Sequence, residues 1–424
     1  MKKGQITFIF ASILMVVGVA CGQANNSGCP TIETRPPNAD TQKPAFAGQT
    51  RVCEVKSNVN FEVVVLAKGL DRPWAVEPLP DGSFLVTEKP GRMRIISATG
   101  EMSEPIGGLL PVGQGGVSDA SGQGGLPPIT ARGQGGLMDV ALSPKFKNDR
   151  TIYWSFSEQR TGGSGTSVAR GVLSKDRKML ENVKVIFRAM PTYENGLHFG
   201  SRLAFGRDGK LYITTGDRFD LAKMRPLAQS LGSHNGKVIR INPDGTIPAD
   251  NPFVKQADAL PENWDIGHRN IQSAVFDDKG QLWTVEHGAK GGDELNLAQK
   301  GKNYGWSVIS YGEEYSGTPI PGDITSKETY EQPVYYWDPV IAPSGMEFYT
   351  GKAFPQWRGN IFVGGLASQR LVRLVIKDNR VVGEEHLLTD RGKRIRDVRQ
   401  GLDGSLYIVT DERDGELWKI TPKR

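Results

Sequence analysis

From residue 61 onward the chain repeats one pattern of apolar and polar positions. A short apolar run meets a turn built on Gly or Asp-Gly, then come a second apolar run and a polar loop. Short apolar runs bounded by turn residues predict strands, and two runs joined by Asp-Gly predict a hairpin. Residues 74–79 and 84–87, joined through Asp81-Gly82 and followed by 93–96, make the first unit. Residues 137–143 with 151–156 make the second, and 202–205 with 211–215 and 237–242 the third. The fourth is 273–276 with 281–286 around Asp278-Lys279-Gly280; the fifth is 346–349 with 360–364 and 371–376. Residues 397–401 and 405–410 around Asp403-Gly404, closed by 416–420, make the sixth.

The turns recur about every 45 to 75 residues, close to the repeat of a four-stranded propeller blade. A strand over 61–67 is placed to pair with the last unit and close the ring, which removes exposed sheet edges. No stretch has the period of a long amphipathic helix. The expected fold is therefore all-β, a six-bladed β-propeller with four-stranded antiparallel blades over residues 59–424. Trp74, Trp154, Trp283 and Trp418 fall on strands and are expected in the core, whereas His234 and His386 are expected at the surface.

Composition narrows the class. With 52 glycines, 26 prolines and 38% hydrophobic residues, the chain is turn-rich yet has ample core. The formal charge of +5, to which Lys2 and Lys3 contribute, is too small for a nucleic-acid binder. Lys2 and Lys3 precede the apolar run 6–19 and the small residues Gly18-Val19-Ala20, so residues 1–20 are expected to be a signal peptide. The run is too short to be a convincing membrane span. Cys21 directly after it resembles a bacterial lipobox, which predicts an exported, periplasmic protein with a lipid anchor on Cys21. Residues 21–58 are rich in Pro, Asn and Thr and are expected to form a tether. Export favours a disulfide between the remaining cysteines, Cys29 and Cys53, which is expected to staple the tether to the domain.

The third unit carries the most pointed chemistry. His198 stands before its first strand and Asp217 after its second, so the hairpin brings both to one end. A carboxylate beside a histidine fixes its tautomer and raises its basicity, the arrangement of a base and its orienter. Acidic residues on the glycine-rich stretch from Glu286 to Asn296 suit an oxygen-liganded cation such as calcium, or a solvated turn. Arg394 and Arg396, two apart on a strand, share a face and suit a ligand bearing carboxylates, or form a solvated basic edge. Gln134 runs from a glycine-rich loop directly into a strand.

Taken together, these segments resemble the soluble PQQ-dependent aldose (glucose/sorbosone) dehydrogenase family of six-bladed propellers. The segments that carry the resemblance are Arg72-Pro73-Trp74, Gly133-Gln134-Gly135-Gly136-Leu137, His198 with Gly216-Asp217, Gly267-His268-Arg269-Asn270, Glu286-His287-Gly288 with Asp293-Glu294, Asn303-Tyr304-Gly305-Trp306, and Arg394-Ile395-Arg396-Asp397. They span residues 70–420 in order. The resemblance implies that His198 takes the anomeric hydroxyl proton of an aldose, that Asp217 holds His198, and that hydride passes to PQQ, giving a lactone. It implies that Gln134, Arg269 and Asn270 line the cofactor and substrate site and that Arg394 and Arg396 grip PQQ. The carbonyls of Gly288 and Ala289 would hold a calcium ion, and Glu294 and Tyr304 a second, structural one. His268 and His287 lie in matching motifs but have no chemical role on these grounds.

Two positions depart from the family pattern. Ala289 replaces the usual proline, and Ala367 stands where the family has a PQQ-contacting lysine, with Arg370 nearby as a substitute cation. Losing one charge-assisted contact weakens binding by about 1.5–3 kcal/mol. The competing expectation is a propeller at the cell surface that binds calcium and either hydrolyses lactones or has no catalysis. The particular sugar, the electron acceptor and dimerisation are left open by the sequence.

Overall fold

The computed structural model describes residues 28–109, 129–320 and 323–423. The expected signal peptide and Cys21 lie outside the described residues. Six inner strands, Pro73–Pro78, Leu137–Leu142, Gly200–Phe205, Ile271–Phe276, Pro343–Phe348 and Ile395–Gln400, surround a central channel. Each packs against the next and the last against the first, so the ring is closed. From each, antiparallel strands run outward as a blade. Five blades have four strands. Blade 1 has three, with a lone bridge from Ile96 to Met102 at its outer edge.

The expected closure forms. The strand Phe61–Leu70 pairs antiparallel with Gly415–Pro422, Phe61 opposite Pro422 and Val63 opposite Ile420, completing blade 6. Helix is confined to single turns among the described residues, the α-helical one spanning Phe146–Asp149. Between blades the apolar faces interlock. Trp74, Leu85 and Met93 of blade 1 meet Leu137, Trp154 and Phe156 of blade 2. Trp283 and Val285 of blade 4 meet Ile361 and Val363 of blade 5. Each such buried side chain contributes about 1.5–3 kcal/mol. All four tryptophans expected in the core are buried.

The channel is filled by charge. Arg202 of blade 3 bridges Asp139 of blade 2 at 2.8 Å and Asp397 of blade 6 at 3.1 Å, all three fully buried. The same carboxylates accept from the backbone N–H groups of Leu203 and Val76. Four inner strands are thereby fixed relative to one another beneath one mouth of the channel.

Two expectations change. Residues 28–58 are a packed strap and not a free tether: the amides of Asn38 and Ala39 donate to the Asp338 carboxylate, and buried Gln49 donates to Pro333 O at 3.0 Å. Glu54 bridges to Glu384, so the strap lies across blades 4 and 5. The Cys29–Cys53 disulfide forms as expected, but it closes the strap on itself. His234 and His386 are not surface residues. His234 accepts from Met190 N–H at 3.1 Å and packs on Phe187; His386 sits between Glu384 at 2.7 Å and Arg370 at 2.7 Å. Both lie where neighbouring loops fold over them, a tertiary effect with no local sequence signal.

Replacing Cys29 and Cys53 by serine is expected to lower unfolding free energy by about 2–4 kcal/mol, read by denaturant titration. Site geometry at the far mouth should persist, because no strap residue supplies it.

Candidate active site

At the mouth where the inner strands begin, His198 precedes the strand Gly200–Phe205 and Asp217 follows Leu211–Thr215. Thr215 pairs with Gly200, so the two residues flank the last rung of the hairpin. The approach is too close for side chains at two points: a Cβ at Gly200 would lie 2.6 Å from Thr215 backbone, and one at Gly216 2.3 Å from His198 O. His198 itself adopts φ of +49°, a left-handed conformation uncommon outside glycine. Its N–H is held by Gln134 Oε1 at 2.9 Å. Strain at His198 is thus held in place from two blades.

His198 Nδ1 lies 2.6 Å from Asp217 Oδ1. Asp217 also accepts from Phe219 N–H at 2.8 Å and from Trp306 Nε1–H at 2.8 Å. Burial works against the Asp217 charge, but His198, Arg269 and the Phe219 amide outweigh it and hold the carboxyl below its usual range. An ionised Asp217 places the imidazole proton on Nδ1. Nε2, without a partner among the described residues, keeps its lone pair for the channel. Burial first, then the charge of Arg269, lowers the His198 pKa despite Asp217, so the ring is neutral near pH 7.

Arg269, in the segment between blades 3 and 4, reaches across the mouth. Its guanidinium donates to His287 O at 3.1 Å and to Gly288 O, and lies 5.3 Å from the Trp306 ring. Arg225 approaches the same ring at 4.8 Å. Glu286 accepts from the Arg269 N–H at 2.6 Å and from His268 Nδ1 at 2.6 Å. Asp265 stands 3.3 Å from His268 Nε2. Burial opposes charge on His268, yet its two carboxylates push its pKa up to about 10, making it a buried imidazolium that fixes Glu286 and through it the Arg269 backbone. His287 does the opposite. Burial, then nearby Arg269, drives it down to about 3, and its Nε2–H donates to Pro343 O at 2.8 Å. Asn270 Oδ1 accepts from Gly200 N–H at 3.1 Å and from Gln272 at 3.2 Å, so it braces the His198 loop.

The two arginines share a face. Arg394 and Arg396 both donate to Asp411 Oδ2, at 2.8 and 2.9 Å. Arg396 is buried beside the Trp74 ring at 5.9 Å, and its Nε has no partner. It also reaches Gln272 Oε1 at 3.5 Å, which in turn holds Asn270. Asn270 joins the three groups: it approaches His287 Nδ1 at 3.5 Å, holds Gly200 beside His198 and is reached from Arg396 through Gln272. Three segments distant in sequence therefore converge on one mouth.

Not every expected residue joins them. Arg370 faces away: it donates to Ser368 O at 2.9 Å and contacts His386, so it does not replace the missing lysine, and Ala367 is exposed. The Tyr304 hydroxyl donates to Leu297 O and accepts from Gln299 N–H, and its ring stacks on His268. Glu294 is bonded to Asn296 at 3.1 Å. Neither side chain is arranged as a cation ligand, and among the described residues no three His, Cys, Asp or Glu side chains gather to hold a metal. Gly288 O is committed to Arg269, and a divalent ion there would press against a guanidinium; this arrangement does not fit the expected calcium seat at Gly288 and Ala289. A polycarboxylate fits better, because two guanidiniums share a single carboxylate oxygen and one keeps an unpartnered buried N–H. Asp411 is the contributor that no local pattern signals, since it reaches the site only through the closed ring; Trp306 lies in a matching segment, but its bond to Asp217 has no signal in the sequence.

The Glucose / Sorbosone dehydrogenase family model matches residues 70–419. The aldose sugar dehydrogenase YliI of Escherichia coli (strain K12) is 41% identical over 373 residues, covering 87% of this chain and 94% of that protein. A solved glucose dehydrogenase superposes with a TM-score of 0.78 at 44% identity, covering 84% of this chain and 99% of that one. The PQQ-bound aldose sugar dehydrogenase of Streptomyces coelicolor gives 0.65 at 26% identity, covering 85% and 99%.

Titration of the His198 ring proton by NMR should give a midpoint below 6.5, the ordinary value. The sign follows from linkage: the unfolded chain takes up this proton first, so stability from the neutral ring is present above pH 6.5 and lost as pH falls below it. A midpoint above 6.5 would contradict the assignment. Trp306→Phe keeps a ring beside Arg269 but removes the donor to Asp217. It should slow turnover about tenfold with KM little changed, measured by steady-state kinetics.

Proposed function

Because the chain belongs to the glucose/sorbosone dehydrogenase family, we propose that it oxidises the anomeric hydroxyl of an aldose to the lactone, with PQQ as hydride acceptor. The observation that carries this is His198, neutral, its Nδ1 fixed by Asp217 and its Nε2 open to a mouth that also holds an arginine pair. Loss of a hydride from carbon requires removal of the hydroxyl proton, and Nε2 is the atom placed to accept it. Asp217 stabilises the imidazolium that results, and Trp306 and the Phe219 amide keep that carboxylate aimed. When bound, PQQ supplies a quinone carbonyl that accepts the hydride. Arg394 and Arg396 would hold its carboxylates, drawing at least one guanidinium from Asp411. Gln134 and Asn270 fix the His198 loop, and Arg269 lines the opposite wall. Phe219, 5.1 Å from the His198 ring, and exposed Tyr315 beyond it give an aromatic rim suited to the apolar face of a sugar.

No metal step is included, since the Gly288 carbonyl is already taken. The leader sequence and the Cys29–Cys53 disulfide support action outside the cytoplasm, with Cys21 as a lipid anchor. An electron acceptor must then reoxidise the quinol.

The test is reconstitution of the purified chain with PQQ, with and without calcium, followed by dye reduction with a panel of aldoses. Wild type should turn over. His198→Ala should retain PQQ absorbance but lose on the order of a hundredfold to ten-thousandfold in kcat. Equal rates in the two would overturn the role of His198. A wild type that binds no PQQ would overturn the cofactor.

A further inference from the structure

The cationic mouth is larger than the arginine pair. Lys89 follows the blade 1 strand Phe84–Glu88, and its backbone is fixed on both sides: its N–H donates to Arg72 O at 3.1 Å, and its carbonyl accepts from Leu137 N–H at 3.1 Å. The ammonium makes one hydrogen bond, to Gly133 O at 2.9 Å, next to Gln134, which holds His198. Arg72 donates its own N–H to Glu412 O at 2.7 Å, and Asp411 N–H donates to Arg394 O at 2.9 Å, so the Lys89 turn abuts the segment that carries Asp411, and the charges of Arg396, Asp411, Arg72 and Arg394 all act on the ammonium. Arg72 is held by Asp71 at 3.1 Å, while the two other guanidiniums share Asp411. Arg394 and Arg396 thus share one anion, and Lys89 adds a third cation whose charge acts on theirs. Burial and then Arg396 push the ammonium down to about 8. Such an excess of positive charge is relieved when further carboxylates arrive. Neither Ala367 nor Arg370 offers a cation here.

We propose that Lys89, resting on the PQQ reading above, is the third cation of the cofactor site, its ammonium leaving Gly133 O to pair with a ligand carboxylate beside Arg394 and Arg396. It supplies from blade 1 the charge that blade 5 lacks at Ala367. It also links the anion-binding side of the mouth to the Gln134–His198 side, because the carbonyl it releases belongs to the residue preceding Gln134.

The experiment titrates the full chain with PQQ, followed by cofactor absorbance and tryptophan quenching. Lys89→Met should raise Kd by on the order of tenfold to a hundredfold, Lys89→Arg should restore most of the affinity, and Arg370→Met should leave it unchanged. Calorimetry at pH 8 in buffers of different ionisation heat gives a second readout. Wild type should take up roughly half a proton on binding, because an arriving carboxylate raises the ammonium pKa, and Lys89→Met should lose that uptake. If wild type binds PQQ and Lys89→Met binds it equally with the same proton uptake, the proposal is wrong. If wild type binds none, the cofactor reading fails and takes this one with it.

Discussion

Closure of the ring by the pairing of Phe61–Leu70 with Gly415–Pro422 is the constraint on which the site depends. A propeller blade has no fixed position of its own; it is located by its two neighbours. With the last blade completed by the first strand, all six inner strands are located at once. His198 comes from blade 3, Arg269 from the segment entering blade 4, Arg394 and Arg396 from blade 6, and Lys89 from the junction of blades 1 and 2. No contact between consecutive residues joins these groups. The buried Arg202 of blade 3, bridging Asp139 of blade 2 and Asp397 of blade 6 across the channel, makes the same constraint electrostatic. Removing one partner would strand charge in the channel, which costs far more than an exposed pair contributes.

The mouth works by opposing assignments of charge to three histidines. His198 is neutral with one nitrogen open, His287 is neutral with its Nε2–H spent on Pro343 O, and His268 is charged between Asp265 and Glu286. The differences follow from what surrounds each ring: two carboxylates for His268, Arg269 beside His287, one carboxylate against that same guanidinium for His198. Arg269 is thus more than a wall. Its charge helps keep the His198 ring deprotonated, and its grip on Gly288 O bears on what else that loop can bind.

The fold and the His198–Asp217 pair were legible because their signals are local. Asp-Gly turns between apolar runs mark the hairpins, and His198 and Asp217 lie at the two ends of one of them. The outer strands signal less: Gly163–Leu173 is small and polar in sequence although almost wholly buried, and Arg380–Leu387 mixes charged and apolar residues with two of its positions exposed. The strap over residues 28–58 is polar in composition, and partners far away in the chain make it part of the body: Asp338 for Asn38 and Ala39, and blades 4 and 5 for buried Gln49 and Val52. Asp411 and Lys89, and the role of Trp306, escape a linear reading for a related reason. Each is an ordinary loop residue until the ring brings its partner alongside. The same applies in reverse to Arg370, whose sequence position suggests an inward cation but whose side chain is turned outward by His386.

The measurement that tests the central claim most directly is a crystal structure of the chain with PQQ and an aldose bound. The account predicts the cofactor carboxylates on Arg394 and Arg396, and His198 Nε2 within hydrogen-bond reach, about 2.6–3.2 Å, of the anomeric hydroxyl. A cofactor seated away from the arginine pair, or a sugar whose anomeric hydroxyl faces another group with Nε2 left idle, would contradict it.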